Sequence, residues 1–246
     1  MHFQSYGFCN VCQKPSLFTA DNEWFRDSLV CNTCQSIPRE RAIVKAITDW
    51  YPNFGSLTIH ESSPAVRGAS NYLRETCAQY STSQYLPQVA FGSTDPATGF
   101  RSENLEALTF EDASVDLFIT QDVMEHIFNP LQASKEVARV LKPGGAHIFT
   151  VPLINKSQAT QRWAQLDQQG KVVHLMPAEY HGNPVDEKGA LVTMHYGYDL
   201  ASQITSHTGC PTTIVQIDNI EFGIRAEYIE VLVMQKPLSL DASMWS

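Results

Sequence analysis

Long hydrophobic runs are missing from this chain. None approaches the roughly 20 residues that a membrane-spanning helix requires, so no membrane partner is expected. Positive charge is scarce: 17 Lys and Arg stand against 26 Asp and Glu, a formal net charge of −9. A protein whose main partner is a phosphate backbone normally shows a basic footprint. Nucleic acid is therefore not expected as the chief ligand. The opening Met1-His2-Phe3-Gln4-Ser5 has neither the basic start nor the apolar core of a secretory signal, and a cytoplasmic location is expected. Internal repeats and low-complexity tracts are absent as well. The 246 residues suit one domain of about 200 residues with a small appendage.

Cysteine is also sparse, at six residues, but it is concentrated. Four of the six form Cys9-Asn10-Val11-Cys12 and Cys31-Asn32-Thr33-Cys34, with eighteen residues between the pairs. Each C-x-x-C turn sets two thiolates close together, and two such turns face to face make a tetrahedral set suited to zinc. Cys9, Cys12, Cys31 and Cys34 are expected to hold one Zn2+ in a ribbon spanning residues 1–36. Two disulfides are the alternative, disfavoured in a cytoplasmic chain. Four thiolate ligands leave no open position, so the site reads as structural. Residues 37–54 follow as a connecting helix and turn, with Pro38 in the first turn and an apolar stripe at Ala42, Ile43, Ala46, Ile47 and Trp50. Arg39, Arg41 and Lys45 are either a solvated face of this helix or a hold for an anionic substrate.

The most organised stretch runs from Glu103 to Pro152. Val115-Asp116-Leu117-Phe118-Ile119-Thr120 has the apolar, β-branched and aromatic character of a buried parallel strand. Leu131, Ala133, Val137, Val140 and Leu141 repeat at helical spacing behind Pro130, and Lys142-Pro143-Gly144-Gly145 ends that helix. Ala146 to Val151 is a second strand. This is one β-α-β unit, and open α/β sheets bind ligands at the carboxyl ends of such strands.

Three pieces of this stretch, Phe110-Glu111-Asp112-Ala113-Ser114-Val115-Asp116, Asp122-Val123-Met124-Glu125-His126 and Arg139-Val140-Leu141-Lys142-Pro143-Gly144-Gly145, together resemble a class I S-adenosylmethionine (SAM)-dependent methyltransferase of the type 11 kind. The resemblance implies an α/β fold over residues 55–236, a doubly wound seven-stranded Rossmann-like sheet, with SAM as cofactor. It implies a first strand at Leu57 to Glu61 whose acidic end, Glu61, precedes the loop around the SAM methionine. That loop, Ser62-Ser63-Pro64-Ala65-Val66-Arg67-Gly68, lacks the family's G-x-G; Gly68 stands as the surviving glycine and Ser62 can offer a hydroxyl. The ribose contact falls to Gln84 or Ser83, where the family has an acid, with Tyr85 beside the cofactor or closing the core. Asn104 and Leu105 match the turn against adenine, and Gln121 and Asp122 end the fourth strand under the methionine and sulfonium.

After Val151 the family pattern loosens into a long insertion. A helix is expected around Gln158 to Gln168, and Pro177 to Tyr198 is expected to wall the acceptor side. His181 is the candidate base facing the methyl. His126 either faces the pocket or packs on the following helix. Glu179, His181 and His195 are a catalytic group, a second metal site or a structural network. Helix Asp199–His207 and strands Thr212–Asp218 and Tyr228–Met234 would complete the sheet, with a mobile tail over 237–246. The acidic balance favours a small-molecule or sugar-like acceptor methylated on oxygen or nitrogen. The rival readings are an RNA methyltransferase carrying a zinc ribbon and a non-catalytic binding module that lost its glycine loop.

Overall fold

The computed structural model describes residues 2–182 and 189–238. Most of the expected tail, and residues 183–188 of the expected acceptor wall, lie outside the described residues. At the N-terminus, β1 (Phe3–Cys9), β2 (Lys14–Ala20) and β3 (Val30–Cys31) form an antiparallel sheet in that order, with the short α1 (Phe25–Ser28) between β2 and β3. The helix α2 (Pro38–Trp50) follows. Glu40 reaches back to accept the Ile37 N–H at 2.9 Å, satisfying a donor the helix start leaves open.

Next come β4 (Thr58–Ser62), α3 (Gly68–Thr76), β5 (Gln79–Gln84), β6 (Arg101–Ser102), β7 (Val115–Gln121), α4 (Pro130–Val140) and β8 (Leu141–Thr150). The insertion holds six short strands, β9 (Gln161–Arg162), β10 (Ala164–Leu166), β11 (Val172–His174), β12 (Tyr180–His181), β13 (Ala190–Leu191) and β14 (Met194–His195). They pair as the antiparallel couples β9–β14, β10–β11 and β12–β13. The chain ends its sheet with α5 (Asp199–Thr208), β15 (Thr212–Val215) and β16 (Val231–Gln235). The seven-stranded sheet has the order β15-β16-β8-β7-β4-β5-β6, with β16 antiparallel to both neighbours and the remaining pairs parallel.

Side-chain alternation along the strands divides the core into two layers. Leu117, Ile119, Ile148, Val231 and Val233 face α2, α3 and the ribbon. Phe118, Phe149, Leu232 and Met234 face α4 and α5. The sheet is therefore covered on both sides, as a parallel sheet must be. Cys9, Val11, Phe18 and Leu29 of the ribbon belong to the first of these layers, so the ribbon and the sheet share one core.

Arg41 fastens that junction. It is buried, where a solvated face was one expectation, and its guanidinium donates to the carbonyls of Ser36, Leu29 and Gly223, the last two at 2.7 Å. The cation lies 4.8 Å from the Phe18 ring centre. Burial pushes its pKa down to about 10. Gly223 has φ +65 and an added Cβ would stand 2.6 Å from the Phe18 ring, so the close approach requires glycine.

Two expectations are corrected. The helix around Gln158 to Gln168 is replaced by β9 and β10: Trp163 donates its N–H to the Thr193 carbonyl at 2.7 Å and stacks on His195 at 3.7 Å. Long-range pairing outcompetes the weak local helical pattern. Lys142 to Gly145 do more than end α4. They open β8, and Gly145 approaches the Asp116 carbonyl so closely that a Cβ would lie 2.5 Å from it.

Candidate active site at the carboxyl ends of the strands

The four ribbon cysteines converge. Their sulfurs lie within 4.8 Å of one another, with Cys9–Cys34 at 3.7 Å and Cys12–Cys31 at 4.0 Å. A tetrahedron with Zn–S bonds of about 2.3 Å has its sulfurs roughly 3.8 Å apart. The Thr33 N–H donates to Cys31 Sγ at 3.4 Å, and Ser36 Oγ lies 3.2 Å from Cys34 Sγ. This donor set fits zinc.

At the carboxyl ends of β4, β5 and β7, the expected cofactor residues part into two groups. Glu61 is fully buried and accepts from Ser70 at 2.7 Å, Tyr80 at 2.5 Å and Gln121 at 2.7 Å. Burial raises its pKa. Glu61 and Gln121 thus bind each other and brace the strand ends, where direct cofactor contact was expected. Leu105 is buried in the core layer under α4, against the expectation of a face on adenine. Ser62 and Gln84 end β4 and β5, and their side chains have no hydrogen-bond partner among the described residues. Tyr85 is 56% exposed and stacks on Phe91, so it does not close the core. Asn104 turns its Oδ1 to the Glu106 N–H at 2.9 Å.

The loop after β4 turns through two left-handed residues, Ser63 and Gly68. Ser63 adopts φ +57, a left-handed conformation that favours glycine. Gly68 starts α3 with φ +58 and lies so near the Glu40 carboxylate that a Cβ would stand 2.3 Å from it. Strained serine at such a turn is of the kind that clusters at ligand sites.

Beside this crevice lies a cavity of about 540 Å³. Trp24, Arg26, Asp27 and Arg39 wall it from the ribbon and α2; Glu179, His181, Met194 and His195 wall it from the insertion. Asp122, Glu125 and His126, from the loop between β7 and α4, form its floor. Asp122 was expected under the sulfonium. Instead its Oδ2 takes Arg26 at 2.7 Å and Arg39 at 3.0 Å, and its Oδ1 takes Thr150 at 3.0 Å. Burial alone would raise its carboxyl, but the two guanidiniums outweigh that and hold it below the ordinary range. Arg39 also pairs with Asp27.

Glu125 is 2% exposed, and neither of its carboxylate oxygens has a hydrogen-bond partner among the described residues. Burial and the nearby Asp122 charge push its pKa well up. His126 places Nδ1 2.9 Å from the Leu191 carbonyl, and burial lowers its pKa. His181 puts Nε2 3.3 Å from Glu179 Oε1, while His195 Nε2 lies 2.9 Å from Glu179 Oε2. The rings of His126 and His181 stand 5.2 Å apart, nearly perpendicular. The structure thus brings His126 and His181 together and sets His195 behind them on Trp163. Glu125, Arg26 and Thr193 were not anticipated. Glu125 was present in the quoted run Asp122–His126, but a carboxylate next to a histidine carries no orientation signal by itself.

Residues 68–149 match the model of a methyltransferase domain family. A segment of 57 residues, 23% of this chain, is 39% identical to 22% of a probable SAM-dependent methyltransferase from Mycolicibacterium smegmatis. Another of 64 residues, 26% of this chain, is 36% identical to 25% of an uncharacterised methyltransferase from Mycobacteroides abscessus. The matched segment thus spans about a quarter of these curated relatives. Among solved structures, the chain is similar to one from a complex of the Haloferax volcanii Trm112 methyltransferase activator with a putative methyltransferase. The identity is 14%, the TM-score 0.50, and the match covers 82% of this chain and 91% of that one. A SAM-dependent methyltransferase from Mesorhizobium loti matches at 15% identity and TM-score 0.48, over 79% and 97%. The fold is that of class I SAM-dependent methyltransferases. Residues 68–149, from the glycine that opens α3 to the end of β8, carry the methyltransferase domain signature.

Proposed function

We propose that the chain transfers a methyl group from SAM to an oxygen or nitrogen of a small polar or sugar-like acceptor. The acceptor enters the cavity between ribbon and insertion, and Cys9, Cys12, Cys31 and Cys34 hold one structural zinc. The observation that carries this is the convergence of Glu125, His126 and His181 on a cavity beside the strand ends of a methyltransferase fold. SAM, when bound, supplies a methyl group already activated on a sulfonium. Ser62, beside the loop shaped by Ser63 and Gly68, Gln84 and Tyr85 after β5, and Asn104 after β6 are the residues that would hold it. Glu61 and Gln121 support that loop from behind.

What the chain must add is alignment of the acceptor, exclusion of water and handling of the acceptor's proton. The ribbon and the insertion wall the cavity on opposite sides. The Glu125–His126–His181 cluster handles the proton. About 540 Å³ suits a small molecule. RNA is disfavoured because Arg26 and Arg39 are paired to Asp122 and Asp27 and Arg41 is buried, so these three arginines form no free basic patch.

Calorimetry with SAM and with its demethylated product tests the reading first: failure of both to bind would leave a non-catalytic module. With a sugar acceptor panel, His181→Asn should lower turnover by roughly 10²–10⁴-fold with SAM affinity unchanged. Unchanged turnover would move the proton to a group other than His181.

A further inference from the structure

Glu125, His126 and His181 offer three ligand atoms that all lie within 4.8 Å of one another. His126 Nε2 and His181 Nδ1 each stand 3.9 Å from the same oxygen, Oε1 of Glu125. The opposite nitrogen of each ring already has an acceptor. His126 Nδ1 faces the Leu191 carbonyl at 2.9 Å, and His181 Nε2 faces the Glu179 carboxylate at 3.3 Å. A carbonyl accepts only an N–H, so His126 carries its proton on Nδ1 and turns a lone pair on Nε2 towards Glu125. The Glu179 carboxylate does the same for His181. Carbonyl–histidine and carboxylate–histidine pairs of this kind fix the tautomer of metal-ligating imidazoles.

We infer that Glu125, His126 and His181 bind one divalent transition-metal ion at the floor of the acceptor cavity, separate from the cysteine cluster. Two imidazoles and a carboxylate suit zinc, iron(II), cobalt(II) or manganese(II) better than calcium or magnesium, which prefer oxygen donors. The second observation is the Glu125 carboxylate itself, nearly fully buried, without a hydrogen-bond partner among the described residues, and lining the cavity. A buried charge is costly unless paired or bound to a metal.

The backbone under the cluster is fixed in advance. Thr193 donates its N–H to the Glu125 carbonyl at 2.8 Å and its hydroxyl to the Ile127 carbonyl at 2.6 Å, and the Tyr196 hydroxyl donates to the Met124 carbonyl at 2.8 Å. With ligand bonds of about 2.1 Å, a tetrahedral set stands roughly 3.4 Å apart. Each histidine nitrogen is therefore about half an ångström too far from Glu125 Oε1 for a closed set, and side-chain rotations must draw the three atoms together from within 4.8 Å of one another. Three protein ligands leave a position facing the cavity. If the methyl-transfer reading holds, that position would take the acceptor oxygen and lower its pKa, so that the cluster would handle the acceptor's proton through the bound ion and His181 would act as a ligand and not as a free base. The binding itself does not depend on that reading.

The test uses the full chain with its ribbon zinc in place, dialysed against EDTA and then titrated with Co(II). The expected result is one equivalent bound, with ligand-field absorption and without the sulfur-to-cobalt charge-transfer bands of thiolates. His181→Asn and Glu125→Gln should each weaken cobalt binding at least 10-fold, roughly the scale of losing a ligand or its support, with circular dichroism and cysteine-bound zinc unchanged. His181 is on the accessible side of the cluster, so its variant tests the site without disturbing the core. No cobalt uptake, uptake with thiolate bands only, or binding insensitive to both substitutions would overturn the inference. Metal binding without methyl transfer would sink the methyl-transfer reading and leave this site standing; the reverse result would do the opposite.

Discussion

The ribbon wall of the cavity is fastened by a buried cation and by the core layer on the α2 and α3 face, whereas the insertion wall is fastened by Met194 and Tyr196 in the layer of α4 and α5 and by hydrogen bonds to the loop between β7 and α4. Arg41 ties Leu29 and Ser36 of the ribbon to Gly223 near β16, and Cys9, Phe18 and Leu29 share a core layer with Ile59 and Leu117 of the sheet. The insertion instead places Thr193 and Tyr196 on the carbonyls of Met124, Glu125 and Ile127, Arg162 on the Phe128 carbonyl, and Asp199 on Thr160. Both walls enter a core layer, but only the insertion's hydrogen bonds end on the loop that carries the candidate ligands. Damage to the ribbon should therefore read out as stability, and damage to the insertion as activity.

The sharpest way to break this contrast is Arg41→Met. It keeps apolar volume but strips the carbonyls of Leu29 and Gly223 of their donors, while the Ser36 carbonyl keeps the Cys31 N–H. At about 1 kcal/mol or more for each buried carbonyl left unpaired, the loss is at least about 2 kcal/mol. Urea unfolding should stay a single transition at a lower midpoint, because ribbon and sheet share a core. Two separate transitions would show that the ribbon folds on its own, and the comparison would fail.

A smaller effect comes from two histidines on the same face of the sheet, flanking Phe118. Burial pushes His60 and His147 down to about 3. His60 has both ring nitrogens on hydroxyls, Ser81 and Ser83, each at 2.9 Å. His147 has Nε2 3.0 Å from Thr120 and an unpartnered Nδ1 among the described residues. Between about pH 6.5 and pH 3 the unfolded chain protonates these rings while the native chain does not. The unfolded state then binds more protons, so stability falls as the pH falls through this window. The slope is up to about 1.4 kcal/mol per pH unit for each histidine. Asp122, held low by its arginines, acts in the same direction at the acid end. Glu61 and Glu125 act in the opposite sense: their raised pKa values favour the native state at low pH, and that contribution is lost as the pH rises through them. Denaturation midpoints from pH 7 to pH 4 should fall, and His147→Phe should flatten the fall; an identical slope in the variant would refute the assignment to His147.

These same elements show what was legible in the sequence. The cysteine spacing, the β-α-β unit from Val115 to Thr150 and the helix ending at Gly209 are local patterns, and the structure has elements there within a few residues of expectation. The loop after β4 was harder, because Ser63 supplies a left-handed conformation normally announced by glycine. The insertion was largely illegible. Its strands are two or three residues long and are specified by contacts 30 to 70 positions away, such as Thr193 to Glu125 and Arg162 to Phe128. Arg39 and Arg41, adjacent in the chain neighbourhood and alike in type, went to different places: one to the cavity, one to the core. Only the helical phase of α2 against the ribbon separates them.

The finest test of the contrast is Tyr196→Phe. Tyr196 is buried, and its hydroxyl donates to the Met124 carbonyl at 2.8 Å, one residue before Glu125. The substitution leaves the ring in the layer of α4 and α5 and removes a single hydrogen bond, at a cost of about 1 kcal/mol. If the insertion only covered the sheet, that small loss would be the whole effect. Because the bond pins the turn carrying Glu125 and His126, hydrogen exchange should rise at Met124 to Ile127 while amides of the ribbon and of β8 keep their protection. Turnover should fall further than stability does, since a shift of about 1 Å in a positioning group can lower rate by roughly 10²-fold. Equal exchange across both walls would mean that the turn is held by the core beneath it, and that the insertion positions nothing.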